Sequence, residues 1–185
     1  MIVTETRIRG LVIAESIAHS DHRGTFLRCF CLSSLKHVLL DRQVMQINQS
    51  RTDAVGAVRG LHFQLPPFAE MKLVRCLRGK VWDVAVDLRQ DSPTFLKWHA
   101  EVLSPSNNRM MVIPEGFAHG FQVLEPLSEL LYLHTAVYSA KHEGGLRYDD
   151  PRVNIEWPIQ IEDLSQRDRN HPLLDKGYVG IPIDG

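Results

Sequence analysis

Two β-rich runs meet at Gly79 and limit what this chain can fold into. Lys72–Gly79 and Lys80–Arg89 lie back to back around that glycine. In the second run Trp82, Val84, Val86 and Leu88 share one parity, and Asp83 and Asp87 share the other. A period of two is the mark of a pleated strand, because successive side chains leave opposite faces. Arg109–Ile113 adds a short apolar strand closed by Pro114 and Gly116, and Leu130–Tyr138 adds another. In the latter, Tyr132, His134 and Tyr138 are expected on one face and Leu131, Leu133 and Val137 on the other. Helical signals are few. Ser33–Asp41 sets Leu35, Val38 and Leu39 along one stripe, and Ser165-Gln-Arg-Asp168 has capping-box spacing with Asp in place of Glu. Strands separated by Gly, Pro and Asn turns predict an antiparallel sandwich or barrel.

No repeat, low-complexity tract or linker divides the 185 residues, so a single domain over 1–185 is expected. Its core would span about 20–145. A C-terminal extension of about 146–185, rich in Pro, Asp and Gly from Pro158 onward, would pack over the barrel. A net charge of -1 gives no global reason to bind nucleic acid or an anionic membrane. The cysteines Cys29, Cys31 and Cys76 fit neither a disulfide framework nor a zinc knuckle. Met1–Gly10 has no signal-peptide core, and no apolar run reaches the roughly 18 residues of a membrane span. These features predict a cytoplasmic protein.

Four groups of residues could carry chemistry. In Arg59-Gly-Leu-His-Phe-Gln64 with Lys72, the cations suit a phosphate or a developing negative charge, and His62 suits proton transfer near neutral pH. A lone strand histidine is more often a hydrogen-bonded structural residue, so this group is weak evidence by itself. Pro114-Glu-Gly116-Phe-Ala-His119 matches P-x-G-x-x-H, one half of the cupin pattern, in which the histidine is a metal ligand. The other half calls for H-x-H, and here position 64 is Gln. A full metal site is therefore not expected, although folding could still gather two His and a Glu. Tyr132, His134 and Tyr138 read either as aromatic packing or as the lining of a wet cavity. Asp168 reads either as a helix-capping residue beside Ser165 or as a carboxylate that orients a histidine.

Together these segments resemble the dTDP-4-dehydrorhamnose 3,5-epimerase family, often called RmlC-like. The matching stretches are Asp21–Phe26, Gln46–Asn48, Arg59–Gln64, Lys72–Val74, Thr94-Phe95, Ile113–Phe121, Tyr132, Tyr138, Glu143, Asp150-Pro151, Trp157-Pro158 and Leu164–Asp168. They cover nearly the whole chain, and RGLHFQ followed by IPEGFAHGF is specific at family level. The resemblance implies an all-β, cupin-type double-stranded β-helix (jelly roll) with short flanking helices. It also implies a homodimer and an isomerase that needs neither metal nor organic cofactor. The implied reaction inverts C3, C5 or both in a nucleotide-diphospho-4-keto-6-deoxyhexose, by proton removal and return through an enolate. Such sugars serve O-antigen and other lipopolysaccharide or secondary-metabolite synthesis.

By position, the resemblance makes His62 the general base, Asp168 its orienting partner, Tyr132 the acid on the opposite face and Lys72 the enolate-stabilising cation. Arg23, Arg59, His119, Glu143 and Arg167 would line the sugar and diphosphate site, and Phe26, Gln46, Asn48 and Tyr138 would hold the nucleotide. A metal-dependent cupin enzyme and a non-catalytic sugar-binding cupin are the competing readings. The missing H-x-H opposes the first. The joint presence of His62, Lys72, Tyr132 and Asp168 opposes the second.

Three positions depart from the family. Arg28 stands where Glu is usual in the nucleotide-binding region. A carboxylate accepts from thymine N3–H, whereas an arginine suits an acceptor such as cytosine N3, so Arg28 points to a CDP-linked sugar or else merely to a phosphate or solvent contact. Arg167 replaces the common Lys, keeping the charge but changing the geometry. The segment from Asn48 to Gly60 is one residue longer than usual.

Overall fold

The computed structural model describes residues 1–183, and these form two facing antiparallel sheets with one hairpin standing apart. The first sheet runs in the order β1 (Ile2–Glu5), β2 (Val12–Glu15), β10 (Arg109–Ile113), β7 (Lys72–Arg78), β12 (Ser128–His134), β5 (Gln46–Thr52). The second runs β13 (Glu143–Gly145), β6 (Ala57–Gln64), β11 (Phe117–Val123), β8 (Val81–Asp87), β9 (Trp98–Leu103), and β14 (Asp163–Leu164) lies parallel to β6. The remaining strands, β3 (Ala18–Asp21) and β4 (Gly24–Leu27), pair only with each other. The helices are α1 (Leu32–Leu39) and α2 (Gln166–Arg169). The all-β expectation holds, and the architecture is a double-sheet jelly roll.

Strand parity explains how three apolar layers arise from two sheets. Odd positions of β8 and β11 (Val81, Ala85, Phe117, Phe121, Val123) meet Val74, Cys76, Met111, Ile113 and Leu130 of the first sheet in the central layer. Leu73, Met110, Val112 and Leu133 face outward, where Leu35 and Leu39 of α1 cover them. Each of these two leucines is fully buried, worth about 2 kcal/mol of apolar transfer. On the far side, Val84, Val86, Leu88 and Ala118 are covered by Leu146, Val153 and Ile181 of the C-terminal segment. The extension therefore closes a core face as well as reaching the site.

The alternation in β8 is that of a strand, and Asp83 and Asp87 on its polar parity are both fully buried because each face of this strand is covered. Two expectations need correction. The first sheet begins before residue 20, since β2 pairs with β10 and β1 with β2. Tyr138 does not continue the face of Tyr132 and His134, because β12 ends at His134 and the chain turns through 135–139. Gln64 holds that turn: its amide donates to the carbonyls of Phe68 and Val137 and accepts from the Ser139 N–H.

Candidate active site

The inward parity that builds the central layer becomes polar at one end of the sandwich, and there a cavity of about 270 Å³ opens. His62 (β6) and His119 (β11) come from one sheet, and Lys72 (β7), Tyr132 and His134 (β12) from the other; all five line the cavity. Close approach of β6 and β11 sets the two histidines opposite one another in register. Gly60 (φ 116°) and Gly120 make this approach. A Cβ at Gly60 would lie 2.6 Å from the Gly120 Cα, and one at Gly120 would lie 2.8 Å from the Arg59 carbonyl oxygen.

His62 Nε2 and Asp168 Oδ1 are 2.7 Å apart, which leaves Nδ1 as the ring nitrogen not engaged by Asp168. Ser165 caps α2 by accepting the Asp168 N–H at 3.0 Å, so the capping expectation is met in the backbone. The carboxylate itself turns away from the helix to His62 and to the Gly60 N–H, 3.2 Å away. Burial by itself would raise the Asp168 carboxyl, but the His62 hydrogen bond and charge, with the Gly60 and Ser165 bonds, outweigh it and hold the group below the usual carboxylate range. Asp168 thus both ends a strand-to-helix turn and fixes the imidazole.

Across the cavity the Tyr132 hydroxyl lies 3.0 Å from the Ser50 hydroxyl. Burial pushes this phenol well above its ordinary value, so it stays protonated and available as a donor. Lys72 is buried, with Nζ donating to the His62 carbonyl at 3.1 Å and lying 3.4 Å from Glu70. The second Glu70 oxygen reaches His134 Nδ1 at 3.0 Å, and His134 Nε2 meets Asn48 at 3.3 Å. His119 Nε2 is 2.8 Å from Asp83, whose carboxyl is raised chiefly by burial and only partly relieved by the histidine. Of these partners, Ser50, Glu70 and Asp83 were not identified from the sequence, whereas His134 was read with Tyr132 as possible lining of a wet cavity, and it does line the cavity. Asp83 carried a signal, since it shares parity with inward-facing positions of its strand.

The rim is made by Asn48, Gln46, Tyr138 and Glu143. Gln46 bonds Asn48 and accepts the Tyr138 N–H, and the Tyr138 hydroxyl donates to Glu143 at 2.6 Å. Arg167 pairs with Glu143 at 2.7 Å. Arg59 and His62 line the cavity and also a neighbouring depression bordered by Arg51, Arg167 and Asp168. The two rings His62 and His119 are gathered as the cupin comparison allowed, but Glu115 is held elsewhere by Arg42 at 2.6 Å, and the glutamates at the cavity are Glu70 and Glu143.

Arg23, Phe26 and Arg28 are not brought to this cavity within one chain. They sit on or just beyond the β3–β4 hairpin, whose residues are nearly all exposed. Arg23 pairs locally with Asp21, and Phe26 is 68% exposed.

A family model described as dTDP-4-dehydrorhamnose 3,5-epimerase matches residues 5–176. The dTDP-4-dehydrorhamnose 3,5-epimerase of Shigella flexneri is 43% identical over 180 residues, covering 96% of this chain and 99% of that protein. Among solved structures, the Legionella pneumophila enzyme in complex with dTDP-4-keto-L-rhamnose superposes with a TM-score of 0.91 at 36% identity, covering 100% of this chain and 99% of that one. The Bacillus anthracis enzyme with TDP and pyrophosphate bound gives 0.89 at 38% identity, covering 94% and 99%.

Proposed function

We propose that this chain, which belongs to the dTDP-4-dehydrorhamnose 3,5-epimerase family, uses His62, Lys72 and Tyr132 to invert carbons beside the ketone of a nucleotide-linked 4-keto-6-deoxy sugar. It is an isomerase acting on carbohydrate. The observation that carries the assignment of roles is the origin of the groups. The imidazole backed by Asp168 comes from one sheet, and the protonated phenol comes from the facing sheet.

Inversion requires a base on one face of the sugar ring and a proton donor on the other. A sugar held between the sheets would present one face to His62 Nδ1 and the other to the Tyr132 hydroxyl. A C–H beside a ketone yields its proton only when the enolate oxygen is stabilised, and the buried Lys72 ammonium supplies that charge. Its existing bonds to the His62 carbonyl and Glu70 hold it in place without neutralising it fully. C3 and C5 both flank the C4 ketone, so one constellation can serve either carbon. Asp168 keeps the proton of neutral His62 on Nε2 and steadies the imidazolium after transfer.

Arg59 and Arg167, on the border of the adjoining depression, suit the diphosphate, with His119 and Glu143 beside the sugar. Gln46, Asn48 and Tyr138 at the rim suit the nucleoside. Arg23, Phe26 and Arg28 fit the same substrate if a second copy of the chain supplies them. Two features support a homodimer of that kind: the hairpin projects with Phe26 exposed, and β5 ends its sheet without a neighbour beyond it, with Ile47 exposed. The Arg28 guanidinium makes no hydrogen bond or ion pair among the described residues, so it is free to read a base supplied with that substrate. Among the described residues no helix is long and apolar enough to cross a membrane, and we place the enzyme in the cytoplasm, where nucleotide sugars are made.

Solvent deuterium incorporation tests the proposal. In deuterium oxide with dTDP-4-keto-6-deoxyglucose, or its CDP counterpart, the protein should exchange C3, C5 or both. No exchange with either compound would sink it. Faster turnover of the CDP compound would assign the base-reading role to Arg28, and equal turnover would remove it. Tyr132→Phe should lose inversion by about 100-fold while initial proton removal suffers less; equal loss of both would contradict the two-face arrangement.

A further inference from the structure

Behind the base lies a residue that this mechanism leaves idle. His171 Nε2 is 3.7 Å from Asp168 Oδ1, the same oxygen that His62 Nε2 meets at 2.7 Å. The His62 and His171 rings stand edge to face with centroids 5.6 Å apart. His171 Nε2 is buried and has no hydrogen-bond partner, an uncommon state for an interior imidazole nitrogen. Space for the ring is provided by the backbone: β13 pairs Gly145 with His62, and a Cβ at Gly145 would overlap the His171 ring.

We propose that His62, Asp168 and His171 form a binding site for zinc or a similar divalent transition-metal ion, and that its occupation switches the enzyme off. The three ligand atoms lie within 4.8 Å of one another. Zinc–nitrogen and zinc–oxygen bonds of about 2.0–2.2 Å set tetrahedral ligands about 3.3–3.5 Å apart, so changes of up to about 1.5 Å in the separations, shared among the three side chains, close the site around an ion. Two imidazoles and one carboxylate are a borderline-soft set that suits zinc over magnesium or calcium, with water completing the shell. The depression bordered by His62, Arg167 and Asp168 gives a path from solvent. Glu143 and Arg167, the other charged groups beside the cluster, neutralise each other at 2.7 Å.

The switch follows from the tautomer, and it rests on His62 being the base. Neutral imidazole carries one proton, which Asp168 holds on Nε2 while Nδ1 faces the sugar. An ion on Nε2 displaces that proton to Nδ1, where it occupies the lone pair that must accept the substrate's proton. No oxidation or bond cleavage is involved, and removal of the ion restores the enzyme.

Calorimetry with zinc chloride tests the site directly, using untagged protein carrying Cys29→Ser and Cys31→Ser. The second cysteine needs removal because hydrogen bonds from Ser33 and Ser34 lower its thiol to about 6, making it a competing ligand. One ion should bind per chain, and His171→Phe or His171→Gln should weaken binding by at least about 10-fold, the loss that even outer-shell partners cause. Phe keeps the ring over Gly145, and Gln guards against a packing failure of Phe. Both variants should keep metal-free deuterium exchange, while bound zinc should lower exchange in the parent by about 100-fold or more. Absence of binding, or binding undiminished in both variants, overturns the site. Inhibition relieved by raising substrate overturns it too, since the ion would then sit in the cavity. Zinc bound through His171 without loss of exchange overturns the switch. If metal-free protein shows no exchange at all, the epimerase reading fails and the calorimetry still decides the site.

Discussion

His62–Asp168 and His119–Asp83 are both imidazole–carboxylate pairs, 2.7 and 2.8 Å long, in opposite surroundings. The His62 side chain is 32% exposed and its carboxylate arrives from the C-terminal extension. His119 and Asp83 sit on neighbouring strands, 6% and 0% exposed. Burial raises Asp83, so that pair resists carrying separated charge. Asp168 is held below the carboxylate range by the bonds it receives, so it remains an anion against which an imidazolium can form. On the proposed mechanism, one pair is built to accept a proton in passing, and the other keeps two strands and a cavity wall in place.

The largest expected effect separates the pairs by function. His62→Ala should lower deuterium exchange by about 10³-fold, and it should also cost some stability, because buried Asp168 loses its imidazole and keeps the Gly60 N–H. Next, His119→Ala should cost stability, about 1–3 kcal/mol by urea unfolding, because the buried Asp83 carboxyl loses its hydrogen-bond partner. An unchanged unfolding midpoint would erase the contrast.

A smaller effect is expected at Asp168. Asp168→Asn should slow turnover by about 100-fold and show a defined pH dependence of stability. Since the folded group is held below its unfolded value of about 3.9, its contribution is complete above that pH and is lost as pH falls through the folded value. Urea midpoints of wild type and variant should therefore converge toward pH 2, and a constant gap would contradict the assignment. The smallest effect should come from Ser165→Ala, about 1 kcal/mol from the lost cap. Because the same bond steadies Asp168, a measurable fall in exchange should accompany it.

What could be read from the sequence follows the same division. Strand periodicity is local, so β7, β8 and β10 were visible, and Tyr132 and His134 were placed together by parity alone. The capping role of Ser165 was visible for the same reason. The union of His62 with Asp168 is tertiary and rested on family resemblance, since no spacing rule links two residues 106 positions apart. Glu70 gave no signal because it lies in a loop before β7, where neither strand nor helix period applies. Tyr138 was misplaced because a run of β-prone residues carries no mark of where hydrogen bonding stops. Gln64, read as a gap in a metal pattern, instead holds that turn. Arg23, Phe26 and Arg28 were grouped with the site, whereas a single chain keeps them on an outlying hairpin.

The glycine seam between β6 and β11 bears on how such an enzyme can diversify. With Gly60 and Gly120 filling their contact with backbone alone, almost any side chain at either position would push apart the strands that carry His62 and His119. Heritable variation is thus barred from the seam and channelled to places that can absorb it, the hairpin and the rim loops. If the hairpin and rim hold the nucleotide as proposed, a lineage can change which sugar nucleotide it accepts there, in small viable steps, while the residues beside the seam are inherited intact.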